Sequence, residues 1–519
     1  MDSVIKYLES IPRLEKNQVL PIVAISTALL YTSYRLLYSS NKTKQLQGHK
    51  PIPVPDCTYP YVGHMFSLGT LPSRTIAAWH KELGPIIKLH MGAVTWVTIS
   101  DPVLAHKIFV THGAETSYRP HSTFAFDYYS NHGKGIGFAQ PGAGWKEIRS
   151  AVMSVLGPKQ VEKYMDLIQQ QARDLVSRML DSSQREDGIN PHYYFSMYSL
   201  NVISSVCMGK QFDSVNDPAF IQLVDTLADA MKFAGLENDL PNFLPAISFI
   251  DYFTGIKGKM RDFIKYKRDP ISINFVREAY VSSRPNMIKS FKENGYDIPE
   301  DEMIVLLFDL LGGGTDTILI TLYWNIAIMC NYPQVQNIVS DEIDAFIKLN
   351  GRIPQFRERE QVPYCISVLK ECMRFKPTTA FGIPHAVYDD VEIDGYIIPK
   401  GSTVVPSMES MHLDANFYPE PYKFLPERFM NNLKTMETSS HGKVTERDHF
   451  NFGWGRRVCP AAHLAEAEIF TAFIQIFSGC KVEPVSNQMP DIDTPESAGI
   501  NLSPSSYKVK FIPRVDALV

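Results

Sequence analysis

The sequence predicts a mainly α-helical protein with a minor β region, an α+β fold. From residue 101 to about residue 350, apolar residues recur at three- and four-residue spacing, which is the pattern of helices with one buried face. Strand character is confined to short stretches. Residues 86–99 alternate β-branched and apolar side chains, and residues 386–398 contain Asp394-Gly395, a favoured hairpin turn.

The composition of the 519 residues is that of an ordinary globular protein, with 45% hydrophobic and 21% charged residues. The net charge of −5 gives no reason to expect nucleic-acid binding. Seven cysteines are scattered along the chain, and their odd number argues against a disulfide framework. We therefore expect a reducing compartment.

Residues 19–38 are nearly all apolar or small, with one charge at Arg35. This length suffices for a single transmembrane helix, because about 20 residues cross a bilayer. A cleaved signal peptide and an amphipathic surface helix are the alternatives. The lead of mixed charge over residues 1–18 disfavours the first, and the lack of charged residues from Val19 to Tyr34 disfavours the second. The basic, proline-rich linker at 39–60 then predicts that the following residues lie in the cytosol.

Residues 452–461 place one cysteine, Cys459, in a loop rich in glycine and arginine, just before an apolar helical run from Ala461 to Ile476. Free backbone N–H groups at a helix start, together with local positive charge, should lower the thiol pKa and prepare the sulfur for a metal. A single cysteine suits axial ligation of heme iron better than a zinc site, which needs several ligands. The alternative is a buried structural cysteine.

These residues resemble the heme-binding loop of the cytochrome P450 family. Phe452, Gly455, Arg457 and Cys459 fill the family pattern, and Ala461 stands where the family more often has glycine. The resemblance implies a P450 catalytic domain over residues 61–519. It also implies heme b, an iron protoporphyrin IX, held between a long central helix and the helix that follows the cysteine. Cys459 would be the iron ligand, with Phe452 and Arg457 as heme contacts.

An apolar helical pattern from Met303 to Cys330 contains Gly312-Gly313-Gly314 followed by Asp316 and Thr317. Each glycine inside a helix costs about 1 kcal/mol against alanine, so we expect another group to approach this backbone closely. A glycine kink at a helix crossing is the alternative. The resemblance implies that Thr317 hydrogen-bonds iron-bound dioxygen and that Asp316 helps to relay protons from solvent.

Trp145 and Arg149 share one helix face at i and i+4, and His385 stands just before a predicted strand. The resemblance implies that these three residues and Arg457 bind the heme carboxylates, with Arg119 as a further candidate. The alternative for each of these residues, taken alone, is that it lies on the surface or packs in the core and binds no cofactor.

Glu371 and Arg374 form an i, i+3 pair, which has the spacing of a helical salt bridge. The resemblance adds Arg428 and implies a buried charge triad that locks the heme-binding core. An exposed pair that contributes little is the alternative.

The resemblance implies a heme-thiolate monooxygenase that inserts one oxygen atom from dioxygen into a C–H bond of a lipophilic small molecule. The chain shows no convincing nucleotide-binding fingerprint, so electrons are expected from NADPH–cytochrome P450 reductase at the endoplasmic reticulum membrane, with cytochrome b5 as a second candidate donor. Similarity to fungal microsomal members makes steroid hydroxylation the narrowest expectation. A heme-thiolate isomerase or dehydratase and a non-catalytic heme-binding protein stay open, although Asp316 and Thr317 favour the monooxygenase.

Overall fold

The computed structural model describes residues 48–514, except 186, 236 and 237. The predicted lead (1–18) and transmembrane anchor (19–38) lie outside the described residues, as does the linker up to residue 47. Within the described part of the chain, one helix, Glu300–Asn331, is long and apolar enough to cross a membrane. Because 67% of its most apolar window is buried inside the protein, this helix has the character of a core helix.

The described chain is mainly helical with small sheets, which confirms the predicted fold class. The α-helices are Pro72–Leu83, Pro102–His106, Gly113–Thr116, Ala143–Leu156, Pro158–Val161, Met165–Arg185, His192–Met208, Pro218–Phe233, Leu240–Phe243, Asp251–Thr254, Ile256–Phe263, Asp269–Val281, Met287–Glu293, Glu300–Asn331, Pro333–Asn350, Pro363–Phe375, Met408–His412, Met436–His441 and Ala462–Gly479. Short π-helical segments are Lys107–Thr111, Thr123–Tyr129 and Ile264–Arg268. Short 3₁₀ segments are Met65–Ser67, Glu162–Tyr164, Pro245–Ile250, Phe356–Gln361, Pro426–Phe429, Val444–Glu446 and Gly455–Arg457.

The strands form one four-stranded sheet and three two-stranded sheets. They are β1 Ile86–Met91, β2 Val94–Ile99, β3 His385–Ala386, β4 Val391–Ile393, β5 Tyr396–Ile398, β6 Thr403–Pro406, β7 Cys480–Pro484, β8 Pro495–Ala498, β9 Asn501–Pro504 and β10 Val509–Pro513. The larger sheet has the order β1-β2-β6-β3, in which β2 and β6 are parallel and the other pairs antiparallel. The small sheets pair β4 with β5, β7 with β10 and β8 with β9.

Both predicted hairpins are confirmed. Strands β1 and β2 pair from Ile86 opposite Ile99 to Met91 opposite Val94. Strands β4 and β5 are joined by Asp394-Gly395, where both residues have positive φ angles of 51° and 83°. Two positive φ angles are what a type I′ turn requires, so this dipeptide determines the register of the hairpin.

The helix Glu300–Asn331, called the central helix below, organises the core. It is buried on nearly all sides and packs against His192–Met208 and against Ala462–Gly479, the cysteine-loop helix. Its first turn carries three acidic residues, which complement the positive end of the helix dipole. The two helices that the sequence predicted to flank the heme therefore pack together.

Glu371, Arg374 and Arg428 form the predicted charge triad. The Glu371 and Arg374 side chains are both 0% exposed and meet in a two-pronged contact with N–O distances of 2.7 and 2.8 Å. Arg428 Nε donates to the same carboxylate at 3.1 Å. Arg374 also donates to the main-chain oxygens of His412 and Pro421, both at 2.9 Å. Since every charge has partners, the triad ties the helix Pro363–Phe375 to the chain that leads to Cys459.

Replacing Glu371 with alanine should lower the free energy of unfolding by about 3–5 kcal/mol, because it leaves Arg374 buried without a counter-charge. The matched control is Asp389→Ala, which removes a pair with Lys400 whose side chains are both 63% exposed. That substitution should cost less than about 1 kcal/mol. Denaturant unfolding measures both variants, and equal effects would show that the triad is not a structural lock.

Candidate active site

The glycine stretch of the central helix has an open face at Gly313, called the cleft below, and packs tightly at Gly314. A Cβ on Gly314 would lie 2.7 Å from Ile203 Cγ1, and one on Gly312 would lie 3.5 Å from Leu227 Cδ2. Gly313 has no atom within 4 Å of such a Cβ and is exposed, although most of the helix around it is buried. The predicted close approach is confirmed at Gly314, and the helix is continuous through all three glycines.

Asp316 and Thr317 lie within one turn of Gly313 and are half-buried. Burial raises the pKa of Asp316 to about 6, so this carboxyl can change protonation near neutral pH. Thr317 Oγ1 donates to Gly313 O at 2.7 Å, which holds the hydroxyl against the backbone at the cleft. The hydroxyl oxygen keeps its capacity to accept a hydrogen bond.

The loop before the cysteine-loop helix is fixed by backbone contacts. Cys459 N donates to Phe452 O at 2.8 Å. Gly455 has a φ of 54°, and a Cβ there would lie 2.2 Å from Phe109 O, so only glycine fits this turn. Arg149 Nη2 donates to Val458 O at 2.7 Å and secures the residue before the cysteine. Phe452 is half-buried and supplies the carbonyl that anchors Cys459.

The prediction that the surroundings of Cys459 lower its thiol pKa is wrong. The N–H of Ala461 and the charge of Arg149 do lower it, but burial is the larger effect and the net pKa is raised. A bound metal ion would supply the missing stabilisation, because a thiol bound to a metal ion is deprotonated. The burial of Cys459 therefore suits a metal ligand better than a free thiolate.

Three arginines predicted as heme contacts or candidates come together in a cationic cluster with Trp145. The Arg457 guanidinium carbon lies 4.1 Å from the Trp145 ring centre, and that of Arg149 lies 5.7 Å from it. Arg457 also donates to Ser117 O at 2.9 Å, and Arg119 donates to two main-chain oxygens at 2.8 Å. Arg119, Arg149, Arg457 and Trp145 are called the arginine cluster below.

The arginine cluster carries positive charge that no carboxylate in direct contact neutralises among the described residues. Burial, followed by the charge of Arg149, lowers the pKa of Arg457 to about 10. Burial, followed by the charges of Arg457 and Arg149, lowers the pKa of Arg119. Enclosed guanidiniums without an anion are costly, and bound carboxylates would form charge-assisted hydrogen bonds with them. The donor set therefore fits the carboxylates of heme.

His385 begins strand β3 and is buried beside Arg119. Its Nδ1 lies 2.8 Å from Thr116 O, to which it donates, and its ring meets Phe109 edge-on at 4.7 Å. Burial, followed by the charge of Arg119, lowers the pKa of His385 well below its usual value. The structure thus brings His385 next to the arginine cluster as a neutral imidazole.

The sequence interpretation missed Asp309 and the segment Gly135–Ala139 that packs against it. Asp309 accepts hydrogen bonds from the backbone of this segment, whose carbonyls in turn face the arginine cluster. One feature of the sequence could have identified Asp309: it is an acidic residue in a largely apolar helix, two turns before Asp316. Nothing in residues 135–139 marked the segment beyond its glycines.

A cysteine just before an apolar helix that packs against the central helix, with a cationic cluster beside it, fits the class of heme-thiolate proteins. The family model for cytochrome P450 matches residues 52–511. The chain therefore belongs to the cytochrome P450 family. It is a cytochrome P450 monooxygenase, and its cofactor is heme b.

Named relatives agree with this assignment along nearly the whole chain. Cytochrome P450 2E1 of Mesocricetus auratus is 28% identical, and the match covers 95% of this chain and 98% of the relative. Cytochrome P450 monooxygenase 79 of Postia placenta is 25% identical over 89% of this chain and 90% of the relative. A zebrafish cytochrome P450 solved with abiraterone superimposes with a TM-score of 0.69 over 85% of this chain and 100% of that chain. At 23% identity, this last match shows the fold alone.

Adjacent glycines of the central helix should respond oppositely to alanine. Gly314→Ala should lower the free energy of unfolding by about 1–3 kcal/mol, because the new methyl meets Ile203. Gly313→Ala should raise it by up to about 1 kcal/mol, because alanine favours the helix and meets no neighbour. Denaturant unfolding of the two variants checks this, and equal losses would contradict the assignment of Gly313 to the cleft.

Proposed function

We propose that this protein is an endoplasmic reticulum monooxygenase that hydroxylates a C–H bond of a lipophilic small molecule, with electrons from NADPH–cytochrome P450 reductase. The observation that carries the proposal is the acid–alcohol pair Asp316 and Thr317 beside Gly313, where the central helix opens to the cleft. A protein that merely bound heme, or isomerised a bound ligand without dioxygen, would not need this pair.

When bound, heme supplies the redox chemistry, which consumes dioxygen, two electrons and two protons and delivers one oxygen atom to the substrate. Cys459 would bind the iron through its sulfur, and Phe452, whose carbonyl accepts from the Cys459 amide, is a proposed heme contact. Arg119, Arg149, Arg457, Trp145 and His385 are the proposed carboxylate partners. Their role is to bind and orient the cofactor.

Asp316 and Thr317 are the proposed proton-delivery residues. With a pKa near 6, Asp316 can take a proton from solvent and release it toward the cleft. The Thr317 hydroxyl, held on Gly313 O, can accept a hydrogen bond from the cleft and pass a proton by rotating.

Aromatic side chains support a lipophilic substrate. Phe124 lies 5.3 Å from Phe233 and 6.0 Å from Phe263, measured between ring centres, and these three rings join separate segments of the fold. Phe124 is buried, and so is Leu310, which lies on the central helix. A ligand that entered between such residues would have to be largely apolar. Steroids are the first class to screen, given the similarity of the loop at residues 453–457 to that of fungal microsomal members.

Membrane attachment and electron supply rest on sequence and charge. The apolar run at 19–38, followed by basic residues, supports an anchor that leaves the catalytic domain in the cytosol. Lys146 and Arg456 are exposed near the cysteine loop and would attract an acidic reductase, or cytochrome b5 as the second candidate donor.

Reconstitution tests the proposal directly. The full-length protein is combined with the reductase, NADPH and isotopically labelled dioxygen in phospholipid vesicles, with steroids, fatty acids and terpenoids as substrates. We expect a product that carries one labelled oxygen atom and depends on NADPH. Turnover that needs no dioxygen would instead support an isomerase or dehydratase.

In the same assay, Thr317→Ala should lower the ratio of product formed to NADPH consumed by about tenfold or more, because proton delivery contributes at least that much. Reduced oxygen species such as hydrogen peroxide should account for the lost electrons. Thr317→Ser retains the hydroxyl and should restore most of the coupling. Unchanged coupling in the alanine variant would remove Thr317 from the proposed relay.

A further inference from the structure

Residues 135–139, called the strap below, lie between the central helix and the arginine cluster. The N–H groups of residues 135, 136 and 137 all donate to carboxylates of the central helix. The first donates to Glu302 Oε1 at 2.7 Å, and the next two donate to Asp309 Oδ2 at 2.8 and 3.0 Å. Three successive amides thus hold the strap on the helix.

The carbonyls of the strap are taken by the arginine cluster. The carbonyl of residue 136 accepts from Trp145 Nε1 at 3.3 Å, and that of residue 137 accepts from Arg119 Nε at 2.9 Å. The carbonyl of residue 139 accepts from Arg457 Nη2 at 2.6 Å. One short segment therefore bonds to the central helix through its N–H groups and to three cofactor-binding candidates through its oxygens.

The contact between the strap and Asp309 leaves no space for a side chain. Gly135 has a φ of 77°, and a Cβ there would lie 2.4 Å from Asp309 Oδ2 and 2.8 Å from Val305 Cγ1. A side chain at this position would displace the carboxylate. Side chains of the central helix therefore pack directly against the backbone of the strap, which requires glycine at position 135.

Asp309 also affects the charge of the arginine cluster. Its negative charge stabilises the protonated form of Arg119 and opposes the repulsion from Arg149 and Arg457. Asp309 thus acts on the arginine cluster in two ways, through its hydrogen bonds to the strap and through the attraction of its negative charge for Arg119.

We propose that Asp309 is a positioning residue for the cofactor: through the strap it sets the places of Arg119, Arg457 and Trp145, and so the binding of the heme carboxylates. The inference rests on the proposed function of these residues as carboxylate partners. In this proposal, hydrogen bonds through the strap connect the central helix, which also carries Asp316 and Thr317, to the residues that would bind the heme carboxylates.

Hemin dissociation from the purified full-length protein, followed by transfer to an excess of a heme-free acceptor protein, tests the proposal without turnover. Asp309→Ala should release hemin about tenfold faster, the effect of losing a charge-assisted contact. Asp309→Asn keeps an oxygen for the strap amides and should stay within about threefold of the unmodified protein. Asp301→Asn is the matched control. It removes an exposed partner of Lys134, just outside the strap, and should change nothing.

A double-mutant cycle separates positioning from general destabilisation. If the strap acts through Arg457, the effects of Asp309→Ala and Arg457→Ala on hemin dissociation are less than additive. Additive effects, or an unchanged rate in Asp309→Ala, would overturn the strap proposal. An unchanged rate in Arg457→Ala would instead overturn the assignment of Arg457 to the heme carboxylates. Should Asp309→Ala fail to fold, Gly135→Ala displaces the same carboxylate and takes its place in the cycle, with the same outcomes.

Discussion

The site depends on how the backbone around Cys459 is held. The cysteine amide bonds to Phe452 O, Arg149 bonds to Val458 O, and Gly455 packs against Phe109 O at a distance that only glycine allows. These contacts orient one sulfur at the start of an apolar helix. Burial raises the pKa of that thiol, so the thiolate would need the charge of a bound metal ion to be stable.

Two groups of enclosed charges among the described residues differ in how they are neutralised. Glu371, Arg374 and Arg428 compensate one another and are satisfied by backbone oxygens, so the triad is complete within the protein. The arginine cluster bonds to backbone oxygens, yet none of its described members contacts a carboxylate. The first group suits a structural role, while the donors of the second suit a bound anion.

The sequence alone predicted the structure correctly where residues close together in the chain determine it. The turn at Asp394-Gly395, the central helix and the loop before Cys459 follow from dihedral preference, apolar periodicity and motif spacing. The strap could not be predicted, because its bonds to the central helix join residues more than 160 positions apart in the chain. The prediction of a lowered Cys459 thiol pKa was wrong for a similar reason. The sequence showed the nearby positive charge but not the burial that outweighs it.

The measurement that tests the central claim is the absorption spectrum of the reduced protein with carbon monoxide bound. An iron–thiolate bond at Cys459 predicts a strongly red-shifted Soret band in the full-length protein. The band should be lost in Cys459→Ala and kept in Cys480→Ala, which changes a buried cysteine on strand β7. A reduced, carbon monoxide-bound protein without this band, or a band that survives in Cys459→Ala, would contradict the account.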